Sequence, residues 1–470
     1  MSSPHVIVDI ITWFLLGYLI ILNGSYLFLN FMSVSALRRR VQEMILDDLP
    51  QVYSELEPPI SILVPAFNEE TTITTSVRSM LQLSYSEFEI IVINDGSDDG
   101  TLQALKQEFG LLPFPESSRE QIPTAEIKGI FRSTLYPNLR VVDKVNGGKA
   151  DSLNAGINAS RFPLFCGVDA DSILQRDSLQ RVVKPFLRDP TVIAAGGTVR
   201  IANGCTVSDG FLTKVGLPTN VWALFQVVEY LRAFLFGRLG WSAIDGMLII
   251  SGAFGIFRTD AVISVGGYRV KTVGEDMELV VRLHRIFRKR RIPYRIEFTP
   301  DPICWTEAPE DYATLSTQRI RWQRGLVESL TANWGLMFSR NGGMPGWVAF
   351  PFMLLFECLG PIVELGGYLF TLVAFIFGWI SWDAFAVFLF LSVGLGILLS
   401  ASGLLLEEMS FHIYPRGRQL AWLALIVVLE NFGYRQLNGV WRLIGLFSWA
   451  MQGKAIWGAM KRTGSWQSKN

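Results

Sequence analysis

A chain of 470 residues has room for two or three domains. Half of it is hydrophobic and 18% is charged, against about 25% charge in an ordinary soluble protein, which points to a membrane protein. Basic and acidic residues balance at 42 each, so no bulk attraction to nucleic acid is implied.

The charges concentrate between Ala36 and Arg340, so the chain is not membrane throughout. Ile10–Phe31 runs for 22 residues without a charge, enough to cross about 30 Å of hydrocarbon. Ala36-Leu37-Arg38-Arg39-Arg40 follows directly, with no small-residue cleavage site between. Charge behind rather than in front reads as an anchor whose C-terminal end lies in the cytoplasm and whose N-terminus lies outside.

Next comes an alternation of short strands and helices. Pro59–Pro65, Glu87–Ile93, Leu139–Asp143, Leu164–Val168 and Val192–Gly196 read as strands, and Glu70–Leu81 as a helix. Such alternation predicts a mainly parallel, doubly wound sheet, with ligands bound beyond the carboxyl ends of its strands. Asp95, in Asn94-Asp95-Gly96-Ser97, and Asp169-Ala170-Asp171 both fall at such ends. Asp-Gly is a turn signal in its own right, and a carboxylate there can also accept hydrogen bonds from a base or a ribose. Two carboxylates one residue apart can hold a hard divalent cation against a diphosphate; a solvated strand-end turn is the alternative. Asn146-Gly147-Gly148-Lys149 offers close backbone approach and a cation for phosphate, or is a plain loop. It is too short for a P-loop.

Glu275 and Asp276 open an apparent helix, Met277–Phe287. Acidic residues favour a first helical turn for dipole reasons alone, yet a carboxylate also suits a general base. Gln318-Arg319-Ile320-Arg321-Trp322 precedes the second apolar region. It offers an indole face for a sugar and donors for phosphate, or forms a headgroup-level belt. Beyond Gly346, Trp347–Leu359 reads as interfacial, and Pro361–Ile380 and Ala384–Leu406 as spans joined tightly at Ser381-Trp382-Asp383. Gln419–Gly433 and Val440–Met451 are shorter and broken by Glu430, Asn431, Arg435 and Arg442. Two or three C-terminal spans with one or two interfacial helices are expected. Cys166, Cys205, Cys304 and Cys358 lack metal-site spacing and read as buried small residues; three of them fall in a stretch that fits a reducing cytoplasmic domain.

Taken together, the motifs resemble those of processive, membrane-embedded family 2 glycosyltransferases, a group that includes poly-N-acetylglucosamine, hyaluronan, chitin and bacterial cellulose synthases. The resemblance covers roughly 59–325, with weaker similarity over Glu430–Leu437. It rests on Pro65-Ala66-Phe67-Asn68-Glu69, Asp95, Gly147–Ala150, Asp169 with Asp171, Gly274-Glu275-Asp276, and Gln318, Arg321 and Trp322. It implies an α/β GT-A (Rossmann-like) cytoplasmic domain inserted between transmembrane helices. Residues 1–35 would be the anchor, 36–340 the catalytic domain with interfacial helices, and 341–470 the C-terminal transmembrane and interfacial helices.

The activity implied is inverting transfer from a UDP-sugar, UDP-N-acetylglucosamine before UDP-glucose, to a growing β-linked glycan, with Mg²⁺ or Mn²⁺ as cofactor. Asp276, with Glu275 beside it, would be catalytic. Pro65, Asn68, Glu69, Asp95, Lys149, Asp169, Gln318 and Arg321 would face the donor. Ser251, Gly252 and Trp322 would face the acceptor, and Asp169 and Asp171 the metal. Trp305-Thr306-Glu307 also recurs in such synthases. The short C-terminal part departs from cellulose synthase and fits the simpler architecture. Membrane lipids are partners, nucleic acid is not, and the scheme leaves room for accessory secretion proteins. The implied location is a bacterial inner membrane. Single addition to a lipid-linked acceptor is the alternative activity. A non-enzymatic adaptor is opposed by the intact Asp169, Asp171 and Asp276.

Overall fold

The computed structural model describes residues 3–47, 57–115, 120–208, 210–414 and 416–451. The tail of the expected C-terminal membrane region, 452–470, lies outside the described residues. Twelve strands occur in chain order: β1 (Ile60–Ala66), β2 (Phe88–Asp95), β3 (Leu111–Pro113), β4 (Ile127–Ser133), β5 (Leu139–Lys144), β6 (Leu164–Val168), β7 (Ile173–Leu174), β8 (Val192–Ile201), β9 (Thr206–Ser208), β10 (Phe211–Lys214), β11 (Phe254–Arg258) and β12 (Arg295–Thr306). Ten of them form one sheet in the order β3-β4-β5-β2-β1-β6-β11-β8-β12-β7.

Two stretches of the sheet are parallel. β5, β2, β1 and β6 run together, as do β8 and β12. The remaining five pairings are antiparallel, so the expected mainly parallel sheet is corrected to a mixed one. β11 is the reason in the middle. It is five residues long, holds Gly255, and enters antiparallel between β6 and β8. Nothing in so short a run sets it apart from a loop. The central strands read clearly because they are buried on both faces, as parallel strands are. Ile60, Ile62, Leu63 and Val64 of β1, and Ile90–Ile93 of β2, are fully buried.

At the amino end of the parallel strands, Glu89 takes hydrogen bonds from Ser61 Oγ (2.6 Å), Arg140 Nη2 (2.6 Å) and the Arg161 amide (2.9 Å). A buried carboxylate so fully partnered serves structure. The carboxyl end carries Asp95 and Asp169 instead.

The helix Glu275–Arg290 begins two residues earlier and ends three later than its apolar pattern suggests. Glu275, Asp276 and Glu278 sit in its first turn and Arg288, Lys289 and Arg290 in its last, both complementing the helix dipole. Its start touches the helix Tyr312–Ala332 through bare backbone. A Cβ on Gly274 would lie 2.8 Å from the Gly325 Cα.

Among the described residues, two helices are long and apolar enough to cross a membrane, Val6–Arg38 and Trp382–Ser410. A third is counted if Pro345–Cys358 and Gly360–Ile376, bent by 44°, form one span. The C-terminal part therefore reaches the expected two spans only through this bent pair, whose first half is the stretch read as interfacial. Ser381 Oγ accepts the Ala384 amide (3.2 Å) and caps the helix that starts at Trp382, which makes the expected tight hairpin. Gly417–Leu429 and Arg435–Ala450, at 13 and 16 residues, are separated by a kink at Phe432 and Gly433. All four cysteines are buried and free.

Candidate active site

Asp95 ends β2 and is buried. Its two carboxylate oxygens accept the Gly147 amide (2.9 Å) and the Gly148 amide (2.8 Å). Lys144 Nζ, at the end of β5, lies 2.5 Å from Asp95 Oδ1 and 2.6 Å from Asp151 Oδ2. Asp95 thus moulds the glycine loop, while its Oδ2, with one amide bound, keeps a lone pair to spare. Lys144 went unnoticed in the sequence. Its signal is the parallel register that sets it opposite Asp95, which a linear reading does not contain. Pro65 stands near the end of β1, half-buried. The loop after it meets the turn after β2. The Asn68 amide donates to Ser97 Oγ (3.1 Å), Asn68 Oδ1 accepts the Asp98 amide (2.9 Å), and the Glu69 amide donates to Thr101 Oγ1 (2.9 Å).

The glycine loop delivers Lys149 to the middle of the site. Its ammonium pairs with Asp169, lies 3.8 Å from Glu275 Oε1, and donates to the Gly252 carbonyl (3.2 Å). Burial opposes this charge, but Asp169 and Glu275 outweigh it and raise the Lys149 pKa. Glu275 is pushed up to about 7 by burial, which Lys149 opposes and Asp276 reinforces. Asp276 Oδ2 accepts the Gly252 amide (3.1 Å), and its Oδ1 accepts the Met277 amide (2.8 Å). One lysine therefore gathers Asp169, the Glu275-Asp276 pair and the Ser251-Gly252 loop. Ser251 is half-buried, and its Oγ lies 3.4 Å from the Ala253 amide.

Asp171 is pushed up to about 7 by burial and by the charge of Asp169. Two carboxylates that repel each other in a buried place fit a hard cation. Among the described residues, no group of three or more His, Cys, Asp and Glu side chains could hold a metal ion by itself. A cation here would need oxygens from elsewhere, as diphosphates supply. The donor set fits Mg²⁺ or Mn²⁺ on that condition.

Gln318, Arg321 and Trp322 lie on the helix Tyr312–Ala332. Gln318 is buried with its Oε1 unpartnered. Arg321 is half-buried. Trp322 is 43% exposed, and the Arg319 guanidinium lies 4.2 Å from its ring centre. This helix meets the backbone of Val273 and Gly274, just ahead of Asp276. Besides the Gly274–Gly325 contact, Ser329 Oγ donates to the Gly274 carbonyl (3.2 Å), and Glu328 Oε2 accepts the Val273 amide (3.0 Å).

Comparison with known proteins gives consistent matches. The profile of glycosyl transferase family 2 matches residues 61–209, and that of glycosyl transferase family group 2 matches residues 165–400, half the chain. A poly-beta-1,6-N-acetyl-D-glucosamine synthase of Staphylococcus epidermidis is 29% identical over 272 residues, 58% of this chain and 55% of that protein. The synthase of the same name from Staphylococcus aureus strain COL is 28% identical over the same shares. The match thus spans about half the length of these relatives. Among solved structures, a mannosyltransferase from Pyrobaculum calidifontis in complex with GDP-Man and Mn²⁺ aligns with a TM-score of 0.49 and 17% identity, over 94% of this chain and 100% of that one.

Proposed function

Since the chain belongs to glycosyl transferase family group 2, with a GT-A domain set among apolar helices, we propose that it polymerises a β-linked polysaccharide from UDP-N-acetylglucosamine. In this proposal it works in a bacterial inner membrane, with its catalytic domain in the cytoplasm, and helps move the chain across. The observation that supports the reading is the Lys149 cluster, in which one ammonium pairs with Asp169, lies 3.8 Å from Glu275 and reaches the carbonyl of Gly252, whose amide Asp276 accepts. Similarity to two poly-beta-1,6-N-acetyl-D-glucosamine synthases supports the choice of sugar.

In this scheme Asp276 is the base. Each of its oxygens holds one backbone N–H, so the carboxylate is fixed in place with lone pairs to spare. It takes the proton from the acceptor hydroxyl as that oxygen bonds the anomeric carbon of the donor. The anomeric carbon–phosphate oxygen bond breaks in the same displacement, and UDP leaves with its electron pair. A single in-line step with one base inverts the anomeric centre. Asp169 and Asp171 would hold Mg²⁺ or Mn²⁺, which supplies charge stabilisation for the leaving diphosphate. Lys149, whose ammonium pairs with Asp169 here, would give its charge to the phosphates. Glu275 keeps the lysine close to Asp276. Pro65, Asn68, Glu69 and the Asp95-bound glycine loop wall the nucleotide. Gln318 and Arg321 face the diphosphate, and Trp322 carries the acceptor sugar.

Membranes holding the full chain, supplied in turn with labelled UDP-sugars, test this. A long polymer from UDP-N-acetylglucosamine is expected. A product of one added sugar on a lipid would overturn the polymerase reading, and a polymer from UDP-glucose alone would overturn the choice of donor.

A further inference from the structure

The kink between the last two helices is pinned at both ends to one face of the helix Val221–Leu231 and the π-helical turn that continues it, Arg232–Arg238. Glu430, where the kink begins, accepts from Arg232 Nη1 (2.6 Å) and also pairs with Ser400. Tyr434, where it ends, donates its hydroxyl to Glu229 Oε2 (2.9 Å) and stacks its ring on Phe225, with centres 4.6 Å apart. Glu229 and Arg232 are three residues apart and so share a helix face.

The same Glu229 oxygen takes a second bond, from Arg319 Nη2 (2.7 Å). Arg319 is 2% exposed, and its Nε and Nη1 have no partner. Its guanidinium covers one face of the Trp322 indole. This buried guanidinium is held by the Glu229 carboxylate and also faces the Tyr434 hydroxyl, so those two groups set its place. From Tyr434 through Glu229 and Arg319 to Trp322, each link is a direct contact.

We infer that Glu229 and Tyr434 are positioning residues for Trp322, and that the C-terminal kink sets the angle at which the indole meets the acceptor sugar. This rests on the acceptor role proposed for Trp322. Neither residue touches the reacting atoms. They act through Arg319, so their loss changes how long a chain is held rather than how a donor is bound.

The test is a double-mutant cycle in nanodiscs with UDP-N-acetylglucosamine, reading product length, donor KM and UDP release. Tyr434→Phe keeps the ring on Phe225 and removes only the hydroxyl. It should shift the ratio of elongation to UDP release by about tenfold, the scale of one hydrogen bond to a charged group, with donor KM held. In a Trp322→Ala background the same change should add nothing, because non-additivity marks residues that act through one another. Glu229→Gln, which removes the charge beneath Arg319, should behave in the same way and serves if Tyr434→Phe does not fold. Equal shortening in both backgrounds, or full-length product from Tyr434→Phe, overturns the inference and leaves the Trp322 reading standing. Full-length product from Trp322→Ala alone overturns both.

Discussion

On the proposed donor side, Asp95, Lys149 and Asp169 stand at or just beyond the carboxyl ends of β2, β5 and β6, and backbone amides fix two of the carboxylates, with Lys144 and Lys149 pairing between them. Gly147 and Gly148 fix Asp95, and Gly252 fixes Asp276. On the membrane side, long charged side chains hold one another. Arg319 leans on Glu229, Arg232 on Glu430, and Arg442 on Glu357 (2.8 Å). The first arrangement tolerates little displacement, because an amide has no reach. The second is adjustable, because each contact spans two flexible side chains. In the proposed reaction, chemistry at an anomeric carbon needs the first, and a platform under a chain that advances by one sugar suits the second.

The sharpest way to break this contrast is at Asp276. Asp276→Asn keeps an oxygen for the Gly252 amide and removes the base. Turnover should fall by about 10²-fold or more, as expected when general-base catalysis is lost, while UDP-sugar affinity, read by calorimetry, stays near the parent value. Unchanged turnover would remove Asp276 from the mechanism and leave the donor side without its rigid centre.

A smaller effect is expected at the carboxylate pair. Asp171→Asn should weaken Mn²⁺-dependent UDP binding by at least the ~10–100-fold that indirect changes to a metal's ligands already cost. In the parent, Mn²⁺ affinity should fall as pH drops through about 7. Burial and Asp169 raise Asp171 to that value, so below it a proton competes with the metal for the carboxylate. Full activity in excess chelator, or Mn²⁺ affinity flat from pH 8 to pH 6, would count against the pair as metal ligands.

The strands that carry Asp95 and Asp169 were legible in the sequence because their signals are local. An apolar run that ends in Asp-Gly or Asp-Ala-Asp announces both the strand and the residue beyond its end, and β1, β2 and β6 lie within two residues of where their runs place them. Lys144 was missed because its partner Asp95 is 49 residues away, opposite it only through parallel register. β11 was missed because both of its neighbours come from elsewhere in the chain. On the membrane side, Gln318 and Trp322 were visible as a motif, but what holds them was not. Glu229 and Tyr434 are 205 residues apart, and each looks ordinary within its own helix. Glu430 and Asn431 were noticed as polar groups at membrane depth. Their partners become visible only in three dimensions.

The smallest predicted effect compares the two sides directly. Gly148 (φ +88°) and Gly433 (φ +102°) both adopt backbone angles that side chains rarely take, and an added Cβ at either meets nothing within 4 Å. Alanine should therefore cost each site about 1–2 kcal/mol of backbone strain and no clash. The consequences should differ. Gly148→Ala disturbs the amide that Asp95 holds at 2.8 Å, so donor KM should rise a few-fold while product length is kept. Gly433→Ala distorts the kink that carries Tyr434, so product length should fall a few-fold while donor KM is kept. The two substitutions are matched in chemistry and in steric surroundings, so general destabilisation would move both readouts together in both variants. Crossed readouts, with each variant moving only its own, would show that the donor loop and the membrane kink control separate steps. If Gly433→Ala instead raised donor KM, the kink would be acting on the rigid side of the site, and the division between amide-held and charge-held halves would be wrong.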